Sequence, residues 1–265
     1  MYTRYSKVLI VGLGYFVAVF FLLKFQFEFK VAIKSILDLS LFTFITLTML
    51  SVVNWFIEAV RWHWALKYKS IEQSFSLSYT QVLYAVPYAL VFGKIAGSTT
   101  GRLIHFKSSS LKNAIKAQIL TSVYQSAALL CFLVGSIILI FHLYSLFFAI
   151  VLFAILMLVY LNKELIQLIF LSVMRTALIF GSYLFVLHQF SSLDLIVALS
   201  KTFSIMTFIP FTPIANLGPK EWLMHYFYDD IGLEQYLKAG LIIFVFNNLL
   251  PAVFGVIISL VNKWK

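Results

Sequence analysis

Long apolar runs separated by short charged segments occupy almost the whole chain. They cover residues 8–23, 39–60, 74–97, 117–141, 143–161, 165–190, 193–226 and 239–261. A helix needs about 20 apolar residues to cross roughly 30 Å of hydrocarbon, and most of the runs are that long. None alternates apolar and polar residues over ten-residue units, as an outer-membrane barrel would. The pattern predicts an all-α polytopic membrane protein, with residues 1–265 forming a single integral membrane domain.

The first run, 8–23, is slightly short and follows Arg4 and Lys7. A basic start before an apolar stretch is typical of a signal peptide as well as of a membrane helix. No small-x-small cleavage site follows Leu23, which favours a retained first helix.

Two runs contain residues that break a transmembrane helix. The second of them holds SIMTFIPFTPIANLGPKEW at residues 204–222, and the first, 74–97, contains Pro87, Gly93, Lys94 and Gly97. Broken backbone leaves N–H and C=O groups unpaired, which lipid cannot satisfy. The breaks therefore predict a lining of protein or of a water-filled cavity. A plain interfacial loop capped by prolines is the alternative.

The charges of the loops distinguish two topologies. If both broken runs cross fully, the eight spans place 8 Lys and Arg on the side of the N-terminus and 11 on the other, with Arg175 inside. If each dips in and returns, the six full spans place 13 on the N-terminal side (4, 7, 61, 67, 69, 94, 102, 107, 112, 116, 163, 263, 265) and 6 opposite (24, 30, 34, 201, 220, 238). Lys and Arg collect on the cytoplasmic side, so the second arrangement predicts two re-entrant segments and cytoplasmic N- and C-termini.

The order of the runs repeats. Residues 39–141 contain a full run, a broken run and a full run, and residues 165–261 contain the same series after a linking helix at 143–161. Three full crossings separate equivalent starts, so the two halves point in opposite directions. Broken segments at matching positions of an inverted repeat indicate the binding site of a transporter.

Composition agrees with a membrane protein. The chain is 62% hydrophobic and 11% charged, whereas soluble domains are about 45–50% apolar and roughly 25% charged. The net charge of +10 is scattered over the ends of apolar runs, which argues against a nucleic-acid partner. The single cysteine, Cys131, excludes an intramolecular disulfide and a cysteine-rich metal site.

Three segments, EAVRWHWALK (58–67), KIAGSTTGRLIHF (94–106) and PFTPIANLGPKEW (210–222), carry a resemblance to a known family. The chain resembles the transmembrane flippase-like domain of lysylphosphatidylglycerol synthases and their stand-alone relatives. The resemblance implies a membrane domain that moves or accommodates lipid headgroups. The sequence departs from the family at Gly101-Arg102, where Gly-Glu is common, and at Gln125 and Asn247-Asn248, where arginines are often found. The 265 residues contain no soluble aminoacyl-transferring domain, so synthase activity is not expected of them.

Three cations are candidates for binding an anionic headgroup. Arg175 interrupts an apolar run, where a charge at mid-helix costs at least about 2.5–3.5 kcal/mol. It should face the interior and bind either a headgroup phosphate or, structurally, Glu221 or Glu58. Arg102 and Lys220 lie at the tips of the broken segments, where helix N-termini would favour an anion. The alternatives are an ordinary cytoplasmic charge for Arg102 and an interfacial snorkelling residue for Lys220.

Asn54, Glu58 and Arg61 are spaced i, i+4 and i+7, so they share one helical face. A polar stripe on an apolar helix predicts an interior-facing binding surface or a packing seam with a Glu58–Arg61 pair. Glu221 is predicted either to take up a proton or to balance Arg175.

The sequence therefore predicts a flippase-like transporter of the plasma (inner) membrane for an anionic lipid or lipid-linked headgroup. Its partners would be membrane lipids, with a homo-oligomer or a partner enzyme left open. No catalytic motif is present, and no cofactor or metal is expected. One alternative is a non-catalytic membrane subunit of a lipid- or glycan-modifying enzyme. Another is a membrane-embedded hydrolase or transferase that uses Glu221, His225 and Asp229.

Overall fold

The computed structural model describes residue 34 and residues 36–92, 94–140, 163–188, 193–208 and 219–263. Within these ranges the elements are helical, without a strand. They are α1 (Leu41–Tyr68), α2 (Phe75–Phe92), α3 (Lys94–Leu103), α4 (Ser108–Ile140), α5 (Lys163–Val186), α6 (Leu193–Phe208), α7 (Pro219–Phe227), α8 (Leu233–Phe244), a π-helical turn (Val245–Leu249) and α9 (Leu250–Lys263). The first helix (8–23), the linking helix (143–161) and most of the second break (209–218) lie outside the described residues.

Four helical segments are long and apolar enough to cross a membrane: Leu41–Tyr68, Ser108–Gly135, Lys163–Val186 and Leu233–Ile258. They coincide with four of the predicted runs, which confirms an all-helical, membrane-type fold. Two boundaries differ, because α1 continues eight residues past the predicted end at 60 and α4 begins nine residues before 117. The apolar run ends there, but the helix does not, since Ala65, Leu66 and Ala114 are buried in one core cluster.

The exposed and buried faces of α1 follow the helical repeat. Phe42, Met49 and Phe56 are spaced by seven and exposed, which suits contact with lipid tails. Asn54 and Arg61 lie on the opposite face and are buried. Ser40 starts the helix by accepting a 3.1 Å hydrogen bond from the backbone N–H of Thr43.

Helices α2 and α3 form a tightly packed antiparallel hairpin. Gly97 lies against the backbone of Tyr88, and Gly101, one turn later, lies against Ala85. A Cβ at either glycine would overlap that backbone, so the small-xxx-small spacing is what allows the close approach. Pro87, expected to break this run, lies inside α2, which ends at Phe92, and α3 begins at Lys94.

Both prolines inside the described helices release a carbonyl group that faces a neighbouring helix. Pro87 has no N–H for the carbonyl of Leu83, and Gly255 of α9 packs directly on that oxygen. Pro251 likewise releases the carbonyl of Asn247, which accepts a 3.1 Å hydrogen bond from the indole of Trp55. Asn247, whose carbonyl Pro251 releases, lies within the π-helical turn. Neighbouring protein thus covers the first carbonyl and provides a hydrogen-bond donor to the second, which lipid could not do.

The packing of the first four helices has a counterpart in the remainder. Helix α3 packs on α2 as α7 packs on α6, and α9 packs on α2 as α4 packs on α6. Helices α1 and α5 contact each other in antiparallel directions. Leu47 clusters with Phe185 near one end, and Leu66 clusters with Leu168 near the other.

Candidate functional site

One carboxylate meets three guanidinium groups in the interior. Glu58 Oε2 lies 2.5 Å from Nη1 of Arg61 and 3.2 Å from Nη1 of Arg175, and its Oε1 accepts a hydrogen bond from Nη2 of Arg102. Glu58, Arg61 and Arg102 are 4%, 1% and 5% exposed. We call these four residues the arginine cluster.

The arginine cluster unites residues that sequence reasoning had placed in separate groups. Glu58 and Arg61 come from α1, Arg102 from α3 and Arg175 from α5. Arg175 therefore has Glu58 as its ion-pair partner, one of the two partners predicted for it. The buried position of Arg102 differs from the ordinary cytoplasmic charge considered as its alternative.

Local structure explains how Arg102 reaches the interior. The two glycine contacts of the hairpin hold α3 close to α2, so the last turn of α3 faces α1. There the guanidinium of Arg102 lies 5.2 Å from the centre of the Trp62 ring, in a cation–π contact. Trp62 is held in turn by a 2.8 Å hydrogen bond from its indole to Gln81 of α2.

Helix α4 contributes neutral acceptors to the arginine cluster. Gln125 Oε1 accepts hydrogen bonds from Nη1 of Arg61 at 2.8 Å and of Arg175 at 3.3 Å, and its amide donates to Thr176. Gln118 accepts from Arg102 at 3.1 Å. The sequence marks Gln125 only as a departure from an arginine pattern. Its spacing of seven residues from Gln118 was the overlooked signal of a shared polar face.

Asn54 and Asn247 extend the polar network toward the π-helical turn. Asn54 Oδ1 accepts a 3.2 Å hydrogen bond from Nε of Arg175, and its amide donates to Asn247 at 3.2 Å. All three members of the predicted polar stripe thus contact the arginine cluster or belong to it.

The charges of the arginine cluster do not cancel among the described residues. Three arginines face one carboxylate, which leaves an excess of two positive charges. In addition, Nε of Arg61 and Nε of Arg102 are buried without a hydrogen-bond partner in the part of the chain that the structure describes. An uncompensated buried charge and an unpaired buried donor are both costly, and an anion would relieve both. The arginine cluster therefore has the donors and the charge that an anion requires.

Lys220 and Glu221 belong to a second buried group, in the second half of the chain. Lys220 Nζ lies 3.1 Å from Glu221 Oε1, and the hydroxyl of Tyr183 donates to the same oxygen at 3.4 Å. Lys220 Nζ also lies 5.0 Å from the centre of the Tyr183 ring. Gly240 of α8 faces the Glu221 carboxylate so closely that a Cβ would overlap it. Lys220 is thus a buried, paired cation, unlike the snorkelling residue of the alternative.

The residues of the hydrolase or transferase alternative have unlike environments. Glu221 is fully buried, whereas Asp229 is exposed. His225 Nδ1 lies 3.0 Å from the carbonyl oxygen of Ile231. Among the described residues, no group of three or more His, Cys, Asp or Glu side chains is placed to hold a metal ion.

Comparisons with known proteins add no relative. No family model, no curated protein and no solved structure matches the chain. The functional argument therefore rests on the geometry of the arginine cluster and its surroundings.

Proposed function

We propose that the protein is a flippase-like transporter that carries an anionic lipid or lipid-linked headgroup through the membrane. The observation that carries the proposal is the arginine cluster, an excess of positive charge buried between helices that are long and apolar enough to span a bilayer. A charged headgroup crossing hydrocarbon needs cationic or N–H donors at depth, and arginine offers phosphate a two-pronged donor. Arg175 supplies this donor near the middle of α5.

A topology of six spans with α2–α3 and α6–α7 as re-entrant hairpins is part of the proposal. The antiparallel contacts of α2 with α3 support the first hairpin. For the second, Lys220 at the start of α7 lies near Phe203 late in α6, and Phe227 lies near Lys201. The reciprocal packing of the two halves and the opposed directions of α1 and α5 support an inverted repeat.

The two ends of the helix bundle differ in charge, which supports an orientation. Leu66, Ala114 and Leu165 meet at one end, beside six lysines: Lys67, Lys69, Lys107, Lys112, Lys116 and Lys163. Leu187, Leu195 and Ile231 cluster at the other end, beside four acidic residues, Asp194, Asp229, Asp230 and Glu234, and beside Lys238, which pairs with Glu234. Because lysine collects on the cytoplasmic side, we place the first end and both termini in the cytoplasm of a plasma (inner) membrane.

The resemblance to the flippase-like domain of lysylphosphatidylglycerol synthases is consistent with this function. Of its three segments, 58–67 contributes Glu58 and Arg61 to the arginine cluster and 94–106 contributes Arg102. Residues that suggested the family from the sequence alone therefore meet at the proposed headgroup site.

Transport in vesicles tests the proposal. Purified protein is reconstituted with a fluorescent anionic lipid, and the fraction of label protected from an outside quencher is followed with time. We expect faster exchange than in protein-free vesicles, and exchange reduced to that background by Arg175→Ala. Lys238→Ala is the matched control, because it removes a cation from an exposed 2.8 Å pair with Glu234. Exchange at background for the unaltered protein would favour the non-catalytic subunit instead.

A further inference from the structure

We propose that the arginine cluster selects a phosphomonoester group over a phosphodiester group. This inference rests on the proposed function, since it names the chemical class of the headgroup. It commits the site to the terminal phosphate of a lipid such as phosphatidic acid or a polyprenyl phosphate, and against lipids whose phosphate is esterified twice.

The first argument is charge. The arginine cluster has two positive charges more than its carboxylate neutralises, and its other described hydrogen-bond partners are neutral: the side-chain amides of Asn54, Gln118 and Gln125 and the backbone carbonyl of Thr121. A phosphomonoester carries about −1.5 to −2 at pH 7, because its second pKa is about 6. A phosphodiester carries a single negative charge and would leave one buried cation uncompensated, which is unfavourable at low dielectric.

The second argument is the number of donors. Among the described residues the buried Nε atoms of Arg61 and Arg102 have no hydrogen-bond partner, although both Nη atoms of each of these two side chains are hydrogen-bonded. A monoester presents three terminal oxygens as strong acceptors, whereas a diester presents two. Two unpaired donors on different helices therefore match the group with the larger set of acceptors.

The third argument is the direction of entry. The side chain of Arg175 is 13% exposed, against 1% for Arg61 and 6% for Arg102. Its 3.2 Å contact is also the longest of the three that Glu58 makes. A phosphate approaching from the Arg175 side would displace Glu58 from Arg175 first, leaving the two shorter contacts in place. Arg175 is accordingly the residue whose charge sets the preference for a doubly charged ligand.

Binding to purified protein in detergent provides the first test. The probes are glycerol 3-phosphate as the monoester, dimethyl phosphate as the diester, and sulfate as a dianion that stays doubly charged at all pH values used. We expect the monoester to bind at least tenfold more tightly than the diester at pH 7.5. Between pH 7.5 and pH 5 the monoester should weaken about tenfold as it loses its second charge. Sulfate binding should change little, whereas a fall for both dianions would show that the protein titrates and would overturn the charge argument.

A variant of the arginine cluster provides the second test. Arg175→Gln lowers the excess to one positive charge, so the tenfold preference should shrink to within about twofold while the diester still binds. Lys238→Gln, a distant exposed cation, should keep the full preference. A purely structural role for Arg175 would weaken both ligands without changing their ratio, which would overturn the assignment.

Lipid probes distinguish the source of the phosphate and separate this inference from the proposed function. Thermal stabilisation by phosphatidic acid is compared with that by phosphatidylglycerol of the same acyl chains. Stabilisation by phosphatidic acid alone supports both proposals. Equal stabilisation by the two lipids overturns the monoester preference and leaves transport of anionic lipids standing. Binding of glycerol 3-phosphate without phosphatidic acid supports the phosphate chemistry but overturns lipid transport.

Discussion

Glu58 and Arg175 should respond very differently to neutral substitution, although they form one ion pair. In Glu58→Gln three guanidinium groups lose their shared carboxylate, and the excess rises to three positive charges. Removing one partner of a buried ion pair costs about 3–5 kcal/mol, because the other charge remains uncompensated. We therefore expect Glu58→Gln to lower the free energy of unfolding by about 3–5 kcal/mol.

Arg175→Gln should lower the free energy of unfolding much less than Glu58→Gln does. It gives up hydrogen bonds of 3.2 Å to Asn54 and 3.3 Å to Gln125 and the 3.2 Å contact with Glu58, and a hydrogen bond that involves a charged group is worth about 1.5–3 kcal/mol. At the same time it lowers the positive excess, which offsets part of that loss, and it leaves Glu58 paired with Arg61 and Arg102. We therefore expect the free energy of unfolding to fall by about 1–2 kcal/mol, less than in Glu58→Gln. The double variant should lie between the two single variants, because it has one uncompensated cation fewer than Glu58→Gln.

Unfolding in detergent, followed by tryptophan fluorescence, measures this order, and vesicle exchange measures transport in the same four proteins. Stable Arg175→Gln protein without transport would support a headgroup role, and Arg175→Lys should recover transport only in part, because an ammonium lacks the planar fork. One pattern of results would contradict the headgroup role. If Arg175→Gln loses as much stability as Glu58→Gln, and the double variant regains both stability and transport, the pair is structural and the headgroup site is lost.

Three further predictions concern the fold and its second buried pair. Gly97→Val should destabilise the protein by at least about 1–3 kcal/mol, because its Cβ would meet the backbone of Tyr88. Gly181→Ala, whose Cβ would have nothing within 4 Å, should instead stabilise α5 by up to about 1 kcal/mol. Thermal unfolding compares the two variants, and equal effects would contradict the tight hairpin. In a Cys131→Ser background, single cysteines at positions 108 and 163 should react with an impermeant reagent added on the cytoplasmic side, and a single cysteine at position 230 should react with reagent added outside. Labelling of positions 108 and 230 from the same side would refute the inverted repeat. Glu221→Gln should destabilise the protein by about 3–5 kcal/mol, because it leaves Lys220 unpaired. The double variant Lys220→Met with Glu221→Gln should be destabilised less, since it leaves no unpaired charge. Full stability of Glu221→Gln would refute the buried pair.

The membrane fold was accessible from the sequence because its signal is local. Apolar runs determine where helices can span a bilayer, and four of the predicted runs coincide with such helices. It was equally predictable that one face of α1 carries Asn54, Glu58 and Arg61, since helical spacing alone places them on the same side. Local patterns failed at the boundaries. Pro87 does not end its helix, because the carbonyl that it releases, that of Leu83, is covered by Gly255, more than 160 residues away along the chain.

The composition of the site could not be predicted in the same way, because it depends on contacts distant along the chain. Arg102 and Arg175 reach Glu58 from 44 and 117 residues away, respectively. The sequence left Arg175 with two candidate partners, Glu221 and Glu58, and nothing local distinguishes them. The spacing of Gln118 and Gln125 places them on one face of α4, but it does not tell which charge Gln118 meets, because Arg102 reaches it from α3.

The two buried groups share one arrangement and differ in charge, which suggests why they would have different roles. In each half a cation from the second arm of a hairpin lies over an aromatic ring of the preceding long helix, Arg102 over Trp62 and Lys220 over Tyr183. Each cation also pairs with a buried carboxylate. The pair in the second half is balanced, because one lysine meets one glutamate. The first half adds Arg61 and Arg175 to the same arrangement, and of these two described groups it is the arginine cluster whose surplus of positive charge matches the proposed anionic headgroup.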